Sequence, residues 1–169
     1  NIAVTTGNSY TVATAIEAAA LGAEKMGIAI EDATVAVVGA TGSIGRTCAE
    51  ALAPQAKAML LLGRDTGRLE PIAEQLRPLA RGAVRVSDDL ARDLPSADVI
   101  ITVTSAVDAI IYPKDLKSGA VVVDVARPRD VSVRVARERD DVLVIEGGLV
   151  EVPGAVDFGF NFGFPPRMA

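Results

Sequence analysis

The chain is predicted to fold as an α/β domain with a doubly wound parallel sheet. Half of its 169 residues are hydrophobic but only 4% are aromatic, so its core must consist mainly of Val, Ile, Leu and Ala. Short apolar runs alternate with segments of helical periodicity, which is the pattern of repeated β-α-β units. Because such crossovers are right-handed and place helices on both faces of the sheet, the pattern predicts a Rossmann-type strand order of 3-2-1-4-5-6.

An N-terminal hinge helix precedes the first strand. We expect it at about residues 8–26, with Asn8 or Ser9 as its cap and Gly27 directly after its last turn. Further helical segments are predicted at 43–53 and 66–79, with one helical turn at 88–93. The six strands are predicted at 34–39, 57–62, 83–86, 98–103, 120–125 and 142–145.

Composition excludes several function classes. The net charge is −5, the pI is about 4.8 and the basic residues are scattered, so neither nucleic acid nor anionic lipid is an expected partner. The single cysteine, Cys48, and the lack of histidine exclude an internal disulfide and argue against a metal site; we interpret Cys48 as a buried packing residue. Neither a leader nor a membrane span is recognisable, which favours a cytoplasmic location.

The glycine-rich turn after strand 1 is the strongest functional signal. Three glycines spaced three apart lie between a β-branched run and a helix, as in turns that hold a dinucleotide pyrophosphate. Gly39 is expected to make the tight turn with positive φ, Gly42 to admit the phosphates, and Gly45 to let the helix pack closely. The residues expected at this cofactor site are Gly39, Ala40, Thr41, Gly42, Ser43, Ile44 and Gly45.

The end of strand 2 favours NADP(H) over NAD. An enzyme that uses NAD commonly has an acidic residue at this strand end, whereas here Gly63 and Arg64 occupy it. A guanidinium can pair with a 2′-phosphate in a bidentate manner. Thr66 and Arg68 are expected to assist, although Arg68 also fits an ordinary solvated helix charge. Asp65 keeps a second interpretation open, because one residue later a carboxylate can still reach the ribose.

Two other strand ends belong to the predicted site. Thr104 and Ser105 follow strand 4 and are expected to line the crevice, or else simply to face solvent. Gly147 and Gly148 follow strand 6 and either admit the nicotinamide or form a plain turn. We therefore divide the chain into a hinge helix segment at 1–30, a dinucleotide-binding domain at 31–152 and a truncated C-terminal tail at 153–169.

Three segments together resemble a known family. Residues 5–11 (TTGNSYT), 33–45 (ATVAVVGATGSIG) and 146–151 (EGGLVE) closely resemble the cofactor domain of long-chain acyl-[acyl-carrier-protein] reductases and of related uncharacterised dehydrogenases. More distantly, residues 63–68 (GRDTGR) look like the NADP-selective turn of shikimate dehydrogenases. Residues 7–9 are similar to the hinge segment of those enzymes, which faces the substrate cleft.

The resemblance implies an NADPH-dependent reductase. In the acyl-carrier reductases a cysteine shortly after the Gly-Gly segment takes up the acyl group, and that position falls on Pro153 here. We therefore predict the NADP-binding domain of an oxidoreductase that acts on a carbonyl or related small-molecule substrate. Its substrate domain is missing from this chain, so we expect the fragment alone to be inactive.

Two alternatives stay open: an acyl-thioester reductase without the usual cysteine, and a non-catalytic nucleotide-sensing domain. The sequence identifies no catalytic residue. The apolar tail places its four phenylalanines at alternating positions, as in a strand face or a self-associating surface, which leaves a homo-oligomer open; they are Phe158, Phe160, Phe162 and Phe164.

Overall fold

Six parallel strands form the centre of the molecule. The structure is a computed structural model that describes residues 7–147 together with residues 150, 151, 154 and 159. The strands are β1 (Thr34–Val38), β2 (Ala58–Leu62), β3 (Ala83–Ser87), β4 (Val99–Thr102), β5 (Val121–Asp124) and β6 (Leu143–Glu146). They pair in the order β3-β2-β1-β4-β5-β6, and every pair is parallel. The predicted fold class and strand order are confirmed.

Five helices flank this sheet in the described part of the chain. They are α1 (Asn8–Lys25), α2 (Ser43–Leu52), α3 (Thr66–Leu76), α4 (Leu90–Asp93) and α5 (Val133–Glu138). Short 3₁₀ turns lie at Ile30–Asp32, Leu94–Ser96 and Pro113–Asp115. The helix α5 is not among the predicted elements, because Val131, Val133 and Val135 alternate as in a strand.

Alternate residues of each strand face two separate cores. In β1, Val35 and Val37 contribute to the core beneath the long helices, and Ala36 and Val38 to the core on the opposite face. The central strands are buried on both faces, which explains why they read as continuous apolar runs. A three-layer sandwich results, with all carboxyl strand ends at one edge.

The N-terminal helix packs directly on the sheet. A Cβ at Gly22 would lie 2.8 Å from Val121 Cγ1 and 2.9 Å from Ile145 Cδ1, so α1 approaches β5 and β6 as closely as a glycine allows. After the helix, Gly27 adopts a φ of 70°, and the amide of Ile28 donates to the carbonyl of Ala23. This bond is typical of a Schellman motif, so the predicted position of Gly27 directly after the last turn is confirmed.

The predicted cap of α1 is wrong. The residue before the helix is Gly7, which has a φ of 82°, and no side chain of the described residues forms a cap bond at this end. Asn8 is already the first helical residue, so its side chain points along the helix surface. Its Nδ2 atom donates to Ser43 Oγ at 3.0 Å and so joins the start of α1 to the start of α2.

Several predictions concern residues outside the described part of the chain, namely Gly148, Pro153 and the four tail phenylalanines. Within the described residues, no helix has both the length and the apolar character needed to cross a membrane.

Candidate nucleotide-binding site

The turn after β1 requires a glycine at its first position. Gly39 has a φ of 86°, in the left-handed region, which confirms the expected conformation. Its N–H donates to the Leu62 carbonyl at 2.9 Å, and its carbonyl accepts from the Gly42 N–H at 3.0 Å. A Cβ at Gly39 would lie 2.4 Å from the Val103 carbonyl oxygen, so the turn also packs against the loop that follows β4.

Different physical causes apply to the other two glycines of the turn, Gly42 and Gly45. A Cβ at Gly45 would lie 2.5 Å from the Gly39 carbonyl oxygen, so only glycine lets α2 pack this closely, as predicted. Gly42, in contrast, has an ordinary φ of −78°, and a Cβ there would meet the same oxygen at 3.4 Å. The fold therefore tolerates a methyl group at position 42, so packing does not account for a glycine there.

The N-terminus of α2 differs from those of the three helices that follow it. Side chains cap α3, α4 and α5, where Asp65, Asp89 and Ser132 accept bonds from backbone amides. At α2 the cap position is Gly42, and no side chain among the described residues accepts from the first turn. The free amides and the positive end of the helix dipole therefore remain available to an anion.

These elements surround one cleft at the carboxyl edge of the sheet. Its volume is about 630 Å³, and it lies at the switch point between β1 and β4 where the strand order reverses. It is lined by Val38, Gly39, Thr41, Gly42, Ser43, Ile44, Gly45, Gly63, Arg64, Leu90, Val103, Thr104, Ser105, Ala106 and Ile110.

The tip of β2 brings a cation to this cleft. Arg64 is exposed, lines the cleft, and forms no hydrogen bond or ion pair with any described residue. The neighbouring Asp65 caps α3, because its Oδ1 atom accepts from the Arg68 N–H at 3.1 Å. Thr66 and Arg68 are exposed residues in the first turn of α3 and do not line the cleft.

The loop after β4 forms the opposite wall. The Thr104 hydroxyl donates to Asp130 Oδ1 at 2.5 Å and accepts from the Ala106 N–H at 3.1 Å, so its hydrogen-bonding capacity is largely used inside the protein. Ser105 is exposed on the cleft and offers its hydroxyl to solvent or ligand.

The ends of β5 and β6 lie beside the cleft rather than on it. Gly147 is buried, and a Cβ there would meet Val123 Cγ1 at 2.9 Å. Close packing therefore accounts for this glycine. Beyond the strand ends, Arg127 and Arg129 both pair with Glu146.

Asp124, the last residue of β5, is almost fully buried. Its carboxylate accepts bonds from the amides of Ala126 and Val131 at 3.1 and 2.9 Å. Burial raises the pKa of Asp124 above its ordinary value despite these bonds.

Most of the predicted site residues thus meet in one place. The cleft contains all of the glycine-turn residues except Ala40, which is buried in the core, and it contains Gly63, Arg64, Thr104 and Ser105. Cys48 lies in the core, as expected, and burial raises the pKa of its thiol to about 11.

Sequence reasoning missed three apolar residues of the cleft lining, Leu90, Ala106 and Ile110, and it missed Asp130, which bonds to Thr104. These residues come from segments far apart in the sequence, and each has the ordinary appearance of a core or turn residue.

Known proteins match most of this chain. A model of the shikimate/quinate 5-dehydrogenase family matches residues 20–146. "Aminotransferase PigE" of a Serratia species is 33% identical over 159 residues, which are 94% of this chain and 18% of that protein. The long-chain acyl-[acyl-carrier-protein] reductase of Synechococcus elongatus is 33% identical over 150 residues, 87% of this chain and 42% of that protein.

A solved structure is also similar to this chain. The glutamyl-tRNA reductase of Methanopyrus kandleri is 30% identical, with a TM-score of 0.63 over 78% of this chain and 34% of that chain. The chain spans less than half the length of each of these three proteins. With its glycine turn, its parallel sheet and the matching family model, this Rossmann-type nucleotide-binding domain belongs to the shikimate/quinate 5-dehydrogenase family of oxidoreductases.

Proposed function

We propose that the chain is the NADP-binding domain of an NADPH-dependent oxidoreductase that acts on a carbonyl or related substrate. One observation carries the proposal: the glycine turn, the start of α2 and Arg64 all line one cleft, and no described residue caps that helix start with its side chain or pairs with Arg64. Under this proposal a substrate domain, outside this chain, closes over the nucleotide.

The start of α2 can hold the pyrophosphate of this nucleotide. The pyrophosphate would accept bonds from the amides of the first turn of α2, where Gly42 presents no Cβ. Its negative charge would also be favoured by the helix dipole at this end. Ser43 stands at the same place, and its hydroxyl already accepts a bond from Asn8.

The end of β2 supports NADP(H) rather than NAD. Arg64 has no acidic partner among the described residues, so its guanidinium is available to a 2′-phosphate. The carboxylate of Asp65 is occupied at the start of α3, which disfavours the alternative in which it binds a ribose hydroxyl. Arg68 lies one helical turn further on and would add positive charge nearby.

When bound, the nicotinamide supplies the hydride, and this chain binds and orients it. The described residues that line the cleft include no Asp, Glu, Lys, Tyr or Cys, and the chain has no His. We therefore assign the proton-transfer group to the substrate domain. The apolar residues Leu90, Val103 and Ile110 also line the cleft.

An acyl-thioester reductase is the second candidate. Two relatives at 30% identity or more are named as reductases of an acyl or aminoacyl group attached to a carrier. Because Pro153 occupies the position predicted for the nucleophile, such a reduction would proceed here without an acyl-cysteine. A nucleotide-sensing domain is the third candidate, supported by the lack of proton-transfer groups among the described cleft residues.

Titration with NADPH tests the proposal. We expect saturable binding by nicotinamide fluorescence. Gly42→Ala should weaken it about tenfold or more, equivalent to about 1.4 kcal/mol, without lowering the melting temperature. Gly45→Ala should instead destabilise the fold by about 1–3 kcal/mol, because its methyl group meets backbone.

Thr47→Ala serves as the control for the glycine variants. Thr47 lies in α2 outside the cleft, so this variant should bind NADPH as the wild type does. The absence of NADPH binding by the wild type would overturn the proposal. Wild-type affinity in Gly42→Ala would overturn the placement of the pyrophosphate.

A further inference from the structure

A buried aspartate outside the cleft holds one of the cleft walls. Asp130 lies in the loop between β5 and α5 and has no exposed surface. Its Oδ2 atom accepts from the Thr102 hydroxyl at 2.5 Å and from the Thr104 N–H at 3.0 Å. Its Oδ1 atom accepts from the Thr104 hydroxyl at 2.5 Å. All three bonds reach across to the end of β4 and the loop that follows it.

The backbone of the same residue holds the other end of that loop. The Asp130 carbonyl accepts from the amides of Ile110 and Ile111 at 2.8 and 3.0 Å. Segment 104–111 is therefore attached at both ends to one residue. This segment supplies four residues of the cleft lining: Thr104, Ser105, Ala106 and Ile110.

The wall and the glycine turn touch each other directly. A Cβ built at Gly39 would lie 2.4 Å from the Val103 carbonyl oxygen and 3.2 Å from Thr104 Cγ2. The Asp130 bonds orient Thr104 so that its methyl group faces this turn and its hydroxyl is engaged elsewhere. The width of the cleft beside Gly39 thus depends on where Asp130 holds Thr104.

Because Asp130 is buried, its carboxylate depends on these hydrogen bonds. Among the described residues no cation pairs with its carboxylate, and hydrogen bonds from two hydroxyls and one amide stabilise it instead. A buried carboxylate is costly unless its bonds are complete. The loop that carries it is itself fixed, since Asp124 accepts from the amides of Ala126 and Val131.

We propose that Asp130 is a positioning residue of the nucleotide cleft, which acts through Thr104 to set the wall opposite the glycine turn. The inference rests on the proposed function, because NADPH binding is its readout. Asp130 does not itself line the cleft, and it is not a catalytic residue.

Two substitutions of Asp130 and one control test this inference. Asp130→Ala should weaken NADPH binding about tenfold or more at a temperature where the protein is folded. Asp130→Asn should retain affinity within about threefold, because its amide oxygen can accept from Thr102 and the Thr104 N–H while its NH₂ donates to Thr104 Oγ1. Ser132→Ala, which removes the cap of α5 in the same loop, should lower thermal stability and leave the affinity unchanged.

If Asp130→Ala does not fold, Thr102→Val decides, since Thr102 bonds to Asp130 but does not line the cleft. We expect it to weaken NADPH binding about threefold or more. Wild-type affinity in every folded variant would overturn the inference alone. The absence of NADPH binding by the wild type would overturn the proposed function and this inference with it.

Discussion

Arg64 and Asp65 are consecutive residues with opposite charges and separate tasks. The backbone turn after β2 directs the guanidinium into the cleft, where no described residue pairs with it. The Asp65 carboxylate accepts from the amide of Arg68 at the start of α3. An acidic residue near this strand end therefore does not by itself indicate NAD, because a helix that begins here also needs a cap.

Substitution at Asp65 separates these two roles. Asp65→Ala should lower the free energy of unfolding by about 1 kcal/mol, because the amide of Arg68 loses its acceptor. Asp65→Asn should lose less, since asparagine is also a good cap. Urea unfolding measures both effects. If the carboxylate serves only as a cap, the affinity for NADH stays the same in both variants, whereas a clear loss of NADH affinity would indicate a contact with the ribose.

At the scale of elements, long periodic segments could be predicted and short irregular ones could not. The helices α1, α2 and α3 and all six strands follow from apolar spacing and turn residues. The helix α5 does not, because three alternating valines in and just before it have the spacing of a strand. The start of α1 near residue 8 is confirmed, but its predicted cap, Asn8 or Ser9, is wrong, because Gly7 in a left-handed conformation precedes the helix.

The end of α5 is tied to its neighbours by one arginine. Arg139 pairs with Asp141 at 2.7 Å and donates to the carbonyls of Pro113 and Leu116 at 2.6 and 2.7 Å. Hydrogen bonds from Arg139 and from Ser118 hold the pKa of Asp141 well below its usual range. The Asp141 carboxylate thus helps to fix α5, the 3₁₀ turn Pro113–Asp115 and the start of β6 together.

This linkage predicts a pH dependence with a definite sign. Because the pKa of Asp141 is lower in the folded than in the unfolded state, its stabilisation is fully present above the unfolded pKa of about 3.9 and is lost progressively as the pH falls from there through the lower pKa of the folded state. Asp141→Asn should therefore be less stable than the wild type at pH 7, and the difference should shrink at pH 3. Urea unfolding at both pH values measures it.

Two comparisons isolate the effect of Asp141. The raised pKa of the buried Asp124 acts in the opposite direction, but it is common to both proteins and cancels in the difference. Asp140→Asn, at an exposed neighbouring residue, should change stability little at either pH. A stability deficit of Asp141→Asn that is equally large at pH 3 would contradict the assigned role.

At the scale of the whole molecule, the topology creates the cleft. Parallel strands place the ends of β1, β2 and β4 at one edge, so Gly39, Gly63 and Thr104 meet although they are far apart in the sequence. The strand order could be predicted from the sequence, and so could the proximity of these three residues. What periodicity cannot reveal is which buried polar group holds the loops in place, as Asp130 does, or that Gly147 serves packing beside the cleft.

We propose that this cleft binds NADPH and that Arg64 reads its 2′-phosphate. The most direct test measures dissociation constants for NADPH and NADH with the wild type and with Arg64→Ala. Arg46→Ala is the control, since Arg46 pairs with Glu50 on α2 and does not line the cleft. The four dissociation constants of the wild type and Arg64→Ala form a thermodynamic cycle, which isolates the interaction between the guanidinium and the 2′-phosphate.

We expect the wild type and Arg46→Ala to bind NADPH about tenfold or more tightly than NADH, because a charge-assisted contact contributes about 1.5–3 kcal/mol. In Arg64→Ala the NADPH affinity should fall to near that of NADH, while the NADH affinity changes little. Equal affinities in the wild type, or equal weakening of both nucleotides in Arg64→Ala, would contradict the account.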